Sequence, residues 1–172
     1  TYLRKQYVSR GLDKPKPNNG RLYRVKYKGG AIGEVPKMST ATIAQLQQNL
    51  SHANGTVRDT AQRLIVERIS SATGTEDYKE WNRLNTKPSY TGYGLLHALW
   101  AYESMKWIPS HLIEQGLASE NIDTVNSALE LSHYSSKSVA TQLISYKPTS
   151  KTALSYAYAL GKAATPESHA RA

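Results

Sequence analysis

Residues 51–68, Ser-His-Ala-Asn-Gly-Thr-Val-Arg-Asp-Thr-Ala-Gln-Arg-Leu-Ile-Val-Glu-Arg, read as a turn followed by a helix with a sharp start. Asn54-Gly55 is a turn dipeptide, and Asn54 or Thr56 can accept from the free N–H groups of a following first turn. Beyond it, Val57, Ala61, Leu64, Ile65 and Arg68 recur at the spacing of one face of a 3.6-residue helix. Arg58, Asp59, Gln62, Arg63 and Glu67 take the other side. An amphipathic helix of this kind must bury its stripe against another element. The nearest candidate is the preceding segment, where Ser39 or Thr40 can cap a helix running to Leu50 through Ile43, Leu46 and Gln47. Two helices joined by a turn at Ser51 to Gly55 make an antiparallel hairpin.

The pairing recurs. Small residues at the middle of each candidate second helix align as Ala61 with Leu64, Ala98 with Ala101, Ala128 with Leu131 and Ala157 with Leu160, in steps of 37, 30 and 29 residues. Shorter candidate helices precede them at Ser39 to Leu50, Glu76 to Leu84, Pro109 to Leu117 and Lys137 to Ser145. Helix pairs repeating every ~30–47 residues predict a mainly α fold, a HEAT-like α-solenoid of about four pairs in which neighbours bury one another's stripes. Alanine at the repeated position lets backbones approach closely. Pro109 and Pro148 are expected at helix starts, where the missing N–H costs nothing.

The N-terminal part differs. Thr1 to Arg10 suits a short helix or an irregular strand, and Gly11 to Gly20, with two Pro and two Asn, is a loop. Residues 21–28 alternate, with Leu22, Arg24, Lys26 and Lys28 on one side and Arg21, Tyr23, Val25 and Tyr27 on the other, which predicts a β-strand in need of a sheet partner. The expected organisation is therefore a basic arm and strand over 1–37, a helical repeat domain over 38–164 and a tail over 165–172.

Composition narrows the chemistry. The chain has 172 residues, 39% of them apolar, with twelve Tyr, no Phe and no Cys. That is enough for one domain with its own core, and Tyr must supply much of the ring packing. Without Cys there are no disulfides, thiolate metal sites, Cys nucleophiles or attached c-type haem in these residues. The longest apolar run, Gly94 to Tyr102, is far short of the ~20 residues that span a bilayer. No targeting peptide is visible, and the expectation is either that processing or trimming removed one or that this is an internal piece of something longer. The net charge of +9 is uneven. Residues 1–37 carry ten Lys or Arg against Asp13 and Glu34, a balance of +8, whereas 38–172 carry twelve against eleven.

Candidate sites are few. The five His residues show no metal-ligand spacing, and no Ser sits in a nucleophile elbow. His97 falls inside an apolar helix and is expected to be hydrogen-bonded, while His52 and His133 lie near helix ends, where an imidazole can bond a free backbone group. Glu76, Asp77, Glu120 and Asp123 sit at helix starts, where acids complement the dipole. Arg58, Arg63 and Arg68 are candidates for an anionic partner, but Asp59 and Glu67 are interleaved and can pair with them along the helix. Trp81, Trp100, Trp107 and the many Tyr are candidates to line a carbohydrate-binding groove, with Trp100 and Trp107 foremost, against a competing role in packing a core without Phe. Arg21, Arg24 and Lys26, interleaved with Tyr23 and Tyr27, are the best candidates for a nucleic-acid contact, although the rings and charges fall on opposite faces. Nucleic acid is the less favoured partner.

Three strings carry a resemblance: residues 2–15 (Tyr-Leu-Arg-Lys-Gln-Tyr-Val-Ser-Arg-Gly-Leu-Asp-Lys-Pro), 20–25 (Gly-Arg-Leu-Tyr-Arg-Val) and 54–68, followed by Leu96-His97-Ala98-Leu99-Trp100. They resemble part of large secreted bacterial dehydrogenase-like proteins, in which a quinoprotein-type β-propeller is followed by HEAT-like repeats and often a c-type cytochrome. The resemblance implies that the first ~30 residues are the exit from a propeller, which accounts for a strand without its sheet. It also implies a periplasmic or secreted home and a parent protein that oxidises sugars or alcohols with a quinone cofactor and haem c. No Cys-x-x-Cys-His occurs here, so none of the family's cofactor or catalytic residues transfers to this chain. The expected function is a scaffold or interaction domain without catalysis, cofactor or metal of its own. The alternatives are a carbohydrate-contacting part of an oxidoreductase site and a basic nucleic-acid-binding module.

Overall fold

The computed structural model describes residues 2–12, 29, 34–70, 75–88, 90–135 and 142–163, and these are mainly helical. The chain divides into two units, Thr1–Glu34 and Val35–Ala172. In the first unit α1 spans Tyr2–Ser9. It ends at Gly11, whose φ of 64° is the left-handed conformation that lets Leu12 N–H reach back to Tyr7 O at 3.2 Å. The expected strand over 21–28, with Arg21, Arg24 and Lys26, lies outside the described residues.

The second unit begins with α2, Ile43–Asn49. Its cap is Thr42, not Ser39 or Thr40 as the sequence suggested. Thr42 Oγ1 accepts from Gln45 N–H at 3.2 Å, and Gln45 Oε1 accepts from Thr42 N–H at 2.9 Å. This reciprocal capping box satisfies two backbone donors at once, whereas a start at Ser39 would satisfy neither. Next, α3 runs over Gly55–Ser70, with Asn54 Oδ1 accepting from Thr56 N–H at 3.0 Å. Its buried stripe is Val57, Ala61, Ile65 and Ile69. Leu64 and Arg68, expected in that stripe, are half-buried at its edge, and Arg68 donates to Ala41 O at 2.6 Å. Burying Val57, Ile65 and Ile69 contributes about 1.5–3 kcal/mol each.

Helix α4, Glu76–Leu84, carries two acids in its first turn and buries Trp81. Helix α5, Gly94–Glu103, is apolar nearly all round, and His97, Ala98, Leu99, Ala101 and Tyr102 are buried. Such a helix belongs in an interior. Pro109 precedes α6, Ser110–Leu117, and Asn121 caps α7, Ile122–Leu131, through Asp123 and Thr124 N–H at 2.9 and 3.2 Å. A 3-10 turn follows at Ser132–Tyr134. Of the helix expected over Lys137 to Ser145, residues 142–145 are helical and 136–141 lie outside the described residues. Last comes α8, Ala153–Lys162. Pro148 does not open it but lies in the loop ahead, with a turn around Thr149–Thr152 between them.

The helices pack in a regular order. Helix α3 packs on α2 and α5, α5 on α7, and α7 on α8; α6 lies against α7 and α5, and α4 against α2 and α3. One continuous core joins them. Ala61, Ala98 and Ala128, three of the four aligned alanines, are fully buried. The fourth departs from the pattern: Ala157 is exposed, and α8 instead buries Tyr156, Ala159 and Leu160. Tyr156 sets this register, since its hydroxyl donates to Leu143 O at 3.0 Å and its ring lies 5.6 Å from that of Tyr146. Among the described residues no helix is long and apolar enough to cross a membrane.

Candidate functional site

Two constellations in the Val35–Ala172 unit gather polar and aromatic groups. The first is centred on Arg58, in the first turn of α3. Its Nη1 donates to His52 O at 2.7 Å and Ala53 O at 2.9 Å, and its Nε donates to His97 Nε2 at 3.2 Å. The guanidinium also lies 5.1 Å from the centre of the Tyr93 ring. Because His97 Nε2 accepts, its Nδ1 carries the proton and donates to Gln62 Oε1 at 2.7 Å. Burial, and then the positive charge of Arg58, hold the imidazole below its ordinary pKa, with Asp59 partly opposing them. A neutral imidazole with both nitrogens engaged is not poised to take a proton from a substrate. The cluster ties the α2–α3 turn, α3 and α5 together.

Arg58 therefore uses Nη1 on two carbonyls and Nε on an imidazole, whereas along the same helix Glu67 pairs with Arg63. His52 and His133 make the backbone bonds suggested by their places near helix ends: His52 Nδ1 accepts from Asn54 N–H at 3.0 Å, and His133 Nδ1 donates to Glu130 O at 2.9 Å. Among the described residues no group of three or more His, Asp or Glu stands close enough to hold a metal ion.

The second constellation is a groove where α4, α5 and α6 meet. It has a volume of about 500 Å³ and is lined by Tyr78, Asn82 and Asn85 of the α4 segment, Tyr102 of α5, and Trp107 and His111 around the start of α6, among others. Trp107 is 52% exposed, although Trp81 and Tyr102 are fully buried. Tyr102 holds it by an edge-to-face contact, with ring centres 6.4 Å apart at 75°, and itself lies 5.2 Å from Trp81. Just before Trp107, Lys106 has a φ of 54°, the left-handed backbone that side chains disfavour. Its side chain makes an ion pair to Glu103, and its Nζ lies 5.2 Å from the centre of the Tyr134 ring.

Of the sequence candidates among the described residues, Arg58 and Trp100 do not line the groove. Trp100 is half-buried, donates from Nε1 to Ser127 Oγ of α7 at 3.2 Å, and does not line the groove. It is two residues from Tyr102 on a helix, so the two side chains point to opposite sides. Arg21, Arg24 and Lys26 lie outside the described residues.

Several groove residues escaped sequence analysis. Asn85 is buried; its Nδ2 donates to Trp81 O at 2.8 Å, its Oδ1 accepts from the Tyr90 hydroxyl, and its O accepts from His111 Nε2 at 2.6 Å. Gln47 Nε2 in turn donates to the Tyr90 oxygen at 3.3 Å. Burial raises the Tyr90 phenol far above its ordinary pKa, against the lowering effect of its two hydrogen-bond partners, so it stays a neutral donor. One signal was available: Tyr78, Asn82 and Asn85, spaced by four and three, share a helix face. The partners on α2 and α6 left no such trace.

The chain matches no protein-family model, no curated protein and no solved structure.

Proposed function

We propose that residues 38–164 form a HEAT-like α-solenoid of about four helix pairs that serves as an interaction scaffold, without catalysis of its own, inside a larger secreted dehydrogenase-like redox protein. The observation that carries this is the order of helix packing. Helices α3, α5, α7 and α8 form a row in which each lies against the next, with α2, α4 and α6 beside them. In such a stack each pair contacts mainly its neighbours, leaving extended side surfaces free to hold other domains at a set distance. In this reading the basic arm over 1–37 docks on a preceding propeller, and oxidation of sugars or alcohols, the quinone and haem c belong to other parts of the parent, in the periplasm or outside the cell.

The charge pattern favours a scaffold over a nucleic-acid module. Arg63, Lys79, Arg83 and Lys106 pair with Glu67, Glu76, Glu80 and Glu103, while Arg58 and Arg68 bond backbone carbonyls. With twelve Lys or Arg against eleven Asp or Glu over residues 38–172, little net positive charge is available to displace counterions from a phosphate backbone. The test uses the native polypeptide. Its intact mass is expected to be several times the 19.1 kDa of this chain, and this chain alone should not turn over sugars or alcohols with an artificial electron acceptor. A natural product of 19.1 kDa, or turnover by this chain, overturns the proposal.

A further inference from the structure

We propose that the groove beside Trp107 is a binding site for a neutral oligosaccharide, independently of whether the helices serve as a scaffold. Trp107 is the anchor. Roughly half of its surface stays in solvent while Tyr102 fixes the ring's orientation. An indole held in this way is pre-organised to pack on the apolar C–H surface of a sugar ring, so little freedom is lost on binding. Lys106 supports the same conclusion. Its left-handed backbone costs about 1–3 kcal/mol, a strain that persists only where surrounding contacts hold it and that clusters at binding sites. Here Lys106 N–H donates to Glu103 O at 2.9 Å, and the turn so closed carries Trp107.

The hydrogen-bonding groups select the class of ligand. Among the described residues no charged side chain lines the groove, although the chain as a whole is cationic. Phosphates and acidic sugars would therefore gain no ion pair on entering. Asn82 Oδ1 accepts from the Tyr102 hydroxyl at 3.2 Å, which leaves its Nδ2 to donate. His111 uses Nε2–H on Asn85 O, which leaves the Nδ1 lone pair to accept. A donor from α4 and an acceptor from α6 match hydroxyl groups, which do both. A proline-rich peptide offers carbonyl acceptors but no N–H at its prolines, so it would leave His111 Nδ1 unmatched.

The site is longer than one sugar. A second cavity of about 210 Å³ adjoins it, and Tyr78 and Trp107 line both. The two shared rings offer apolar surface to a ligand in either cavity.

The experiment is a glycan array of neutral and acidic oligosaccharides probed with the full chain, followed by titration calorimetry of the best ligand and of a proline-rich peptide. Expected is binding of at least one neutral oligosaccharide, weakened at least about tenfold by Trp107→Ala and largely kept by Trp107→Tyr. Trp100→Phe, away from the groove, should bind as the parent does. Circular dichroism melting of each variant separates loss of the site from loss of the fold, and Trp107→Tyr, which keeps a ring against Tyr102, provides the comparison if Trp107→Ala is unstable. Failure of every neutral glycan to bind, equal binding by a folded Trp107→Ala, or binding of only acidic glycans or the proline-rich peptide overturns the proposal.

Discussion

Replacing Gly116 with alanine tests how α6 is seated on α7. A Cβ at that position would stand 2.6 Å from the Ala128 Cβ and 3.4 Å from Leu99 Cδ1. Carbon atoms pack best at about 3.5–4.0 Å, so the two helices would have to separate by roughly 1 Å. Neither methyl can rotate away, because each is bonded directly to its backbone. Overpacking of this kind costs about 1–3 kcal/mol, and the better helix propensity of alanine returns at most about 1 kcal/mol. The expected net loss is about 1–2 kcal/mol, read as a lower midpoint of urea unfolding at unchanged slope. Ala128→Gly removes the facing methyl, and alone it costs about 1–2 kcal/mol in propensity and lost burial. In the double variant the collision is gone, so the two changes should be coupled favourably by about 1–3 kcal/mol. A Gly116→Ala protein as stable as the parent, or a double variant additive within about 0.5 kcal/mol, would show that close approach at this point does not set the helix spacing.

Further expectations concern the joints and the Arg58 cluster. Gly94→Ala should destabilise by about 1–3 kcal/mol, because its Cβ collides with Ser51 Oγ and comes within 3.0 Å of the Tyr90 ring; a melting temperature that Ser51→Gly fails to restore would refute this. Arg58→Ala should cost about 2 kcal/mol by releasing two carbonyls and His97, and Arg58→Lys should recover little of it, since an ammonium cannot reproduce the fork. If Arg58→Ala instead left stability unchanged and abolished a measured activity, Arg58 would be a functional residue rather than a clasp. For His97, burial and Arg58 lower the folded-state pKa, so on acidification the unfolded chain takes up its proton first. The stability it confers is complete above its ordinary pKa of about 6.5 and is lost as pH falls from there through the lower folded value. Urea unfolding at pH 7.5 and 5.5 should show a smaller acid loss in His97→Gln than in the parent, and equal losses would exclude His97 as the cause.

The helices were legible because each is specified by neighbours in the chain. The four-residue spacing of Val57, Ala61 and Ile65 places them on one face whatever lies beside it, and Thr42 with Gln45, or Asn54 with Thr56, close caps within three residues. Boundaries were less legible. Ser39, Thr40 and Thr42 are all plausible caps, and only the reciprocal bond to Gln45 separates them. The aligned positions Ala61, Ala98 and Ala128 are all buried, but Ala157 is not, and on α8 it is Tyr156, bonded to Leu143 O, that faces inward. A single large side chain outweighed the pattern of small ones.

Which residues meet across the fold was a different matter. Nothing near Arg58 indicates that its partner would be His97, thirty-nine positions away. The sequence also placed Trp100 and Trp107 on an equal footing, and the tertiary structure separated them: Trp100 reaches Ser127 of α7, while Trp107 stands half in solvent on Tyr102. Local spacing determines the periodicity of a helix and the chemistry of its ends, since those depend on bonds a few residues apart. Which face is covered, and by what, depends on contacts between segments far apart in the chain, and those contacts brought Arg58 to His97 and set Trp107 beside a groove.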